Sequence, residues 1–99
     1  MNPQKLMKQL QQKQERVQQE IAAISVSAQA GGGMVKVEMD GQKALRAVTI
    51  DPEVVSKDDV EMLQDLVLAA VNEAGRKVDE AVQEKMASLT AGLNIPGLF

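Results

Sequence analysis

Residues 56 to 90, "SKDDVEMLQDLVLAAVNEAGRKVDEAVQEKMASLT", form the longest periodic run in the chain and constrain everything else it can build. Val60, Leu63, Leu66, Val67, Ala70, Val71, Ala74, Val78, Ala81, Val82, Met86 and Leu89 recur at the spacing of an amphipathic helix. Over residues 57–89 such a helix is about 50 Å long at ~1.5 Å per residue, whereas a seven-residue strand spans only about 23 Å. The helix must overhang any sheet made by the rest of the chain. Its distal half, still apolar at Val78, Ala81, Val82 and Met86, needs cover from another helix or from a second subunit, and this geometry predicts a homodimer.

Ser56 and Asp59 have the spacing of a capping box, and Asp58, Asp59 and Glu61 supply the negative charge that a helix start favours. Gly75, inside the helix, costs about 1 kcal/mol relative to alanine, so close packing or a bend is expected there. Asn72 stands amid the apolar stripe, where it fixes the register of a packed pair, bonds a strand end, or simply sits on the surface.

At the other end, Leu6, Leu10, Val17, Ile21 and Ile24 mark a first helix, with Pro3 in its first turn and Asn2 as N-cap. Its stripe is narrow and skips a turn at Lys13 and Gln14, which suits packing along one line against another helix. Between the helices the period changes to two. "ISVSAQA", "MVKVEMD" and "ALRAVTID" read as three short strands, and Asp40-Gly41 as a hairpin turn in which glycine takes a positive φ. The change of parity between Ala47 and Val48 marks either a bulge or a strand buried on both faces.

Gly31, Gly32 and Gly33 raise the question of a phosphate loop. They lead into a strand rather than a helix, and Lys36 is followed by Val37 where a Walker loop has Ser or Thr. The triplet is therefore a connection between strands in which a Cβ would be strained. Cys, His, Trp and Tyr are absent, which removes disulfides, thiolate chemistry, a neutral-pH proton shuttle and the usual zinc sites. No catalytic residue, metal site, cofactor or small-molecule substrate is expected. No window approaches the ~18 apolar residues of a membrane span, so no membrane role is expected and the chain reads as cytoplasmic.

The net charge of −3 hides an asymmetry. Residues 1–24 carry Lys5, Lys8, Lys13 and Arg16 against Glu15 and Glu20, a balance of 4 − 2 = +2, which leaves −5 for the remainder. A basic end on an acidic body suits either a polyanion-facing surface or a solvated helix.

In order and spacing, "MNPQKLMKQLQQKQERVQQE", "AGGGMVKVEMDG", "VTIDPEVV" and "LQDLVLAAVNEAGRKVDEAVQEKM" resemble the YbaB/EbfC nucleoid-associated proteins of bacteria. The resemblance implies an α+β, two-layer α-β-β-β-α fold with a three-stranded antiparallel sheet. It also implies a homodimer formed largely through the sheet region, with long helices projecting like tweezers. The expected organisation is one domain over residues 1–91 and a flexible tail over 92–99. The implied function is binding of double-stranded DNA in the nucleoid, influencing gene expression or nucleoid organisation. Lys5, Lys8, Lys13 and Arg16 on the first helix and Arg76, Lys77 and Lys85 on the second are the candidate phosphate contacts, giving weak sequence preference. The alternative is a non-catalytic protein-interaction or chaperone-like module that uses the helical arms, suggested by the six methionines.

Overall fold

Asn2 and Pro3 start the first helix as their residue types dictate: the Asn2 side chain accepts a hydrogen bond from the Gln4 N–H at 3.0 Å, and proline occupies the first turn. In the computed structural model, which describes residues 2–91, this helix, α1, spans Pro3–Ala22. Strands β1 (Ser25–Ala30), β2 (Val35–Asp40) and β3 (Leu45–Ile50) follow, then a 3-10 turn at Pro52–Val54, and then helix α2 over Val60–Ala91. The α-β-β-β-α order and α+β class match the sequence expectation. The tail expected at residues 92–99 lies outside the described residues.

The strands form one antiparallel sheet in the order β1-β2-β3. Alternation along β2 sends Val35, Val37 and Met39 into the core and Lys36 and Glu38 to the open face. Ala28 of β1 joins them, and α2 closes the layer with Ala70, Ala74 and Val78, all buried. Small residues on the helix and branched ones on the strand allow the two backbones to approach closely. Val17 is the one buried residue of α1.

Three expectations are corrected. Asp59, rather than Ser56, caps α2: its carboxylate accepts the Met62 N–H at 3.2 Å, while the Ser56 hydroxyl serves a local turn by accepting the Asp58 N–H. The helix accordingly begins at Val60. Gly41 does form part of the β2–β3 hairpin, but its φ is not positive; the left-handed residue is Lys43, with φ 64°. Glycine is needed at 41 because a Cβ there would lie 1.9 Å from the Ile21 carbonyl oxygen at the end of α1. The third concerns β3. Its register against β2 shifts as Glu38 pairs Ala47 and Met39 pairs Leu45, so Arg46 is the extra residue of a bulge. Burial on both faces is ruled out, because residues 45–49 are all exposed. The triplet Gly31–Gly33, in contrast, has positive φ at all three positions, as a connection free of Cβ atoms requires.

Asp40 locks the hairpin. Its carboxylate accepts the N–H groups of Gln42 and Ala44 at 2.9 and 3.0 Å, and the Arg46 guanidinium donates to it at 2.8 Å. The Ala44 N–H above all, then the Gln42 N–H and Arg46, hold this carboxyl below its ordinary value against the opposing effect of desolvation. A depressed folded-state pKa contributes stability that is present above the unfolded carboxylate value of about 4 and is lost as pH falls through the lowered value. Acid unfolding followed by far-UV circular dichroism is expected to show this component in the parent chain and its loss in Asp40→Asn. An unchanged acid dependence in the variant would contradict it.

Candidate nucleic-acid interface

The basic end of the chain is built on α1. Its first turn contains no acidic residue, and residues 1–14 contain no Asp or Glu at all. Lys5 thus stands in the first turn, at the positive end of the helix dipole, where cations are disfavoured and anions are attracted, and Lys8 follows in the next turn. An arriving phosphate relieves that repulsion. Lys5, Lys8 and Arg16 are exposed and fall within an arc of roughly 100° on the helix, while Lys13 is half-buried at the margin of the apolar side. Arg16 pairs with Glu20 at 3.8 Å with its own side chain 81% exposed, a weak contact that a stronger anion can displace.

The cations of α2 are more heavily engaged within the chain. Arg76 donates to Glu73 from Nε at 3.1 Å, and its terminal nitrogens reach Glu73 and Glu80, one turn away on either side. Its hydrogen bond to Glu73 raises the Arg76 pKa, and the same bond lowers that of Glu73. Lys77 donates from Nζ to the Ser27 carbonyl oxygen of β1 at 2.7 Å. There it borders a hollow of about 300 Å³ on the open face of the sheet, lined by Gln29, Lys36, Glu38 and Thr49 among others. Lys85 approaches Glu20 at 3.9 Å. Of the seven candidates, Lys5, Lys8, Lys13 and Lys77 have no ion pair among the described residues, and of these Lys77 is instead held by the Ser27 carbonyl. The seven therefore do not form a single cluster: four lie along α1, Lys85 meets α1 through Glu20, and Arg76 and Lys77 lie nearer the sheet.

A second surface was not visible in the sequence. Val48 pairs with Val37 and Leu45 with Met39, so both point to the helix side of the sheet, yet they remain 48% and 44% exposed because α2 lies over β1 and β2 instead. On the flank of α2 that faces the hairpin, Leu68 is 60% exposed, and a Cβ at Gly75 would meet nothing within 4 Å. Of the close packing or bend expected at Gly75, the close packing is not found among the described residues. Alternation identified the apolar residues of β3 without indicating whether anything covers them.

The family model described as the YbaB/EbfC DNA-binding family matches residues 1–93. The chain belongs to the YbaB/EbfC DNA-binding family. A nucleoid-associated protein of Thermoanaerobacter pseudethanolicus is 54% identical over 97 residues, covering 95% of this chain and 87% of that protein. One of Chloroflexus aurantiacus is 48% identical over 102 residues and matches both chains along their whole length. Among solved structures, that of the uncharacterized protein HP0035 from Helicobacter pylori superposes with a TM-score of 0.73 at 21% identity, covering 90% of this chain and 97% of that one. At that identity the likeness shows the fold alone. Among the described residues no helix is long and apolar enough to cross a membrane, and no group of three or more acidic or other ligating side chains could hold a metal ion.

Proposed function

We propose that this YbaB/EbfC-family chain is a non-enzymatic, nucleoid-associated DNA-binding protein that acts as a homodimer within the cytoplasmic nucleoid. Paired helical arms would straddle a duplex and contact its phosphates, influencing gene expression or nucleoid organisation. The observation that carries this reading is the carboxylate-free N-terminal half of α1, exposed and cationic on a chain that is otherwise acidic. Family membership and the names of its relatives support it. Lys5, Lys8, Lys13 and Arg16 are the principal phosphate contacts, with Arg76, Lys77 and Lys85 joining by exchanging their internal partners for phosphate. With Phe99 as its single aromatic residue, the chain lacks stacking platforms, which favours duplex over single strand. Binding of a random-sequence duplex in competition with single-stranded DNA tests this; a preference for the single strand would count against it.

The dimer is assigned to the uncovered flank formed by Leu45, Val48 and Leu68, since apolar side chains exposed together on one flank are stabilised by a partner's cover. The open backbone at Gly75 extends the same flank. A second copy is the natural occupant because the same flank can be presented by both chains about a two-fold axis. Val48→Lys with Leu68→Lys is expected to give monomers in sedimentation equilibrium and to lower duplex affinity at least tenfold, as two-armed attachment is lost. A variant that stays dimeric would place the interface elsewhere.

The exposed Met7, Met34 and Met62 favour the second reading, a protein-interaction or chaperone-like module, because methionine suits adaptable contact surfaces. Partner binding insensitive to salt would mark that role.

A further inference from the structure

On an ordinary exposed helix, a lysine is commonly matched by a carboxylate four residues away. In α1 the residue four places after Lys5 is Gln9 and after Lys8 is Gln12, whereas Arg16 is followed at that distance by Glu20. The replacement is confined to the half of the helix that has no acid and little tertiary contact. Lys5, Lys8, Gln9, Gln12 and Arg16 are all exposed and share an arc of roughly 100°. From Lys5 to Arg16 the face runs about 16 Å along the axis, roughly five base-pair steps.

We infer that Gln9 and Gln12 are base-reading residues, held by the cations around them against adenine edges in the major groove of duplex DNA. This rests on the DNA-binding reading above and deepens it: the cations would bind any duplex, and the amides would supply what preference there is. Three physical points lead to this. A glutamine amide presents a donor and an acceptor together, the pair that adenine N7 and its exocyclic amine complement, and being neutral it neither repels phosphate nor releases counterions. An α-helix of about 10–12 Å diameter fits a major groove about 12 Å wide, and Gln9 and Gln12 lie in the N-terminal half of α1. Lys5 and Lys8 stand one turn before the two glutamines, so phosphate contacts made by the lysines fix the height at which the amides meet the bases.

The experiment is selection from a randomised duplex pool by the full chain, by Gln9→Ala/Gln12→Ala, and by Lys5→Ala/Lys8→Ala, with the salt dependence of each measured on random duplex. The parent chain is expected to enrich adenine-containing sites, discriminating by about tenfold at each contacted base pair. The glutamine variant should recover a pool without that enrichment while its salt slope stays as in the parent. The lysine variant should bind with a shallower slope and, having lost the contacts that set the height of the amides, should enrich the same sequence more weakly. A flat pool from a parent chain that binds duplex, or an enriched sequence that survives loss of both glutamines, overturns the inference and leaves phosphate binding standing. Absence of any duplex binding at low salt overturns both.

Discussion

Gly41→Ala is expected to lower stability by about 3 kcal/mol or more, the upper part of the range for overpacking, because the atom it meets is backbone and cannot rotate away. The added Cβ would sit 1.9 Å from the Ile21 carbonyl oxygen and 3.3 Å from the Ile24 Cβ. To accommodate it, the β2–β3 hairpin must separate from the end of α1. That contact holds the arm to the sheet together with the ion pair between Lys43 and Asp79 at 2.8 Å, which joins the same hairpin to α2. A domain of this size loses ~4–8 °C in Tm per kcal/mol, so a fall of roughly 12–24 °C or more should appear in thermal unfolding. Gly32→Ala, where the φ of 68° is strained but no atom lies within 4 Å, is the informative comparison and should cost less. Equal effects would mean that the Ile21 contact does not fix the hairpin.

Replacing Lys5, Lys8, Lys13 and Arg16 together by alanine is expected to reduce duplex affinity by roughly 100- to 1,000-fold at physiological salt while leaving the oligomeric state and the helix content unchanged. Each phosphate contact contributes about 0.9 to the slope of log affinity against log salt, so losing four contacts makes that slope shallower by nearly 4 for each arm engaged. Alanine favours the helix, and only Lys13 among the four is even half-buried, so stability should change little. The complementary replacement of Arg76, Lys77 and Lys85 should cost less affinity, since those side chains must first release Glu73, Glu80, the Ser27 carbonyl and Glu20. If the α2 set cost more than the α1 set, the proposed division of labour between the arms would be reversed.

Much of the fold was legible because it is encoded locally. The 3.6-residue stripe of α2, the alternation of β2, the Asn2-Pro3 start and the Asp40-Gly41 turn each act over a few residues. What was misread depended on a distant partner or on competition between equals. Ser56 and Asp59 are both good caps, and only the bond to Met62 decides between them. Gly41 owes its place to Ile21, twenty positions earlier and on another element, although a turn glycine is ordinarily explained by its φ. For the site, the cations of α1 could be found by charge alone. The carboxylates that occupy Arg76 are also readable, at three and four residues' distance, whereas the bond from Lys77 to Ser27 spans fifty positions and has no local signature. The exposed flank at Val48 and Leu68 was hidden because an apolar residue in a sequence does not disclose whether it is covered.

The central claim is that exposed cations on α1 bind duplex DNA through its phosphates. Equilibrium anisotropy of a labelled random duplex, titrated with the full chain from low to physiological salt with excess competitor DNA, tests it most directly. A slope of log affinity against log salt of about −4 or steeper, corresponding to four or more neutralised phosphates, is the predicted result. No binding at low salt, or binding whose affinity does not change with salt, would contradict it.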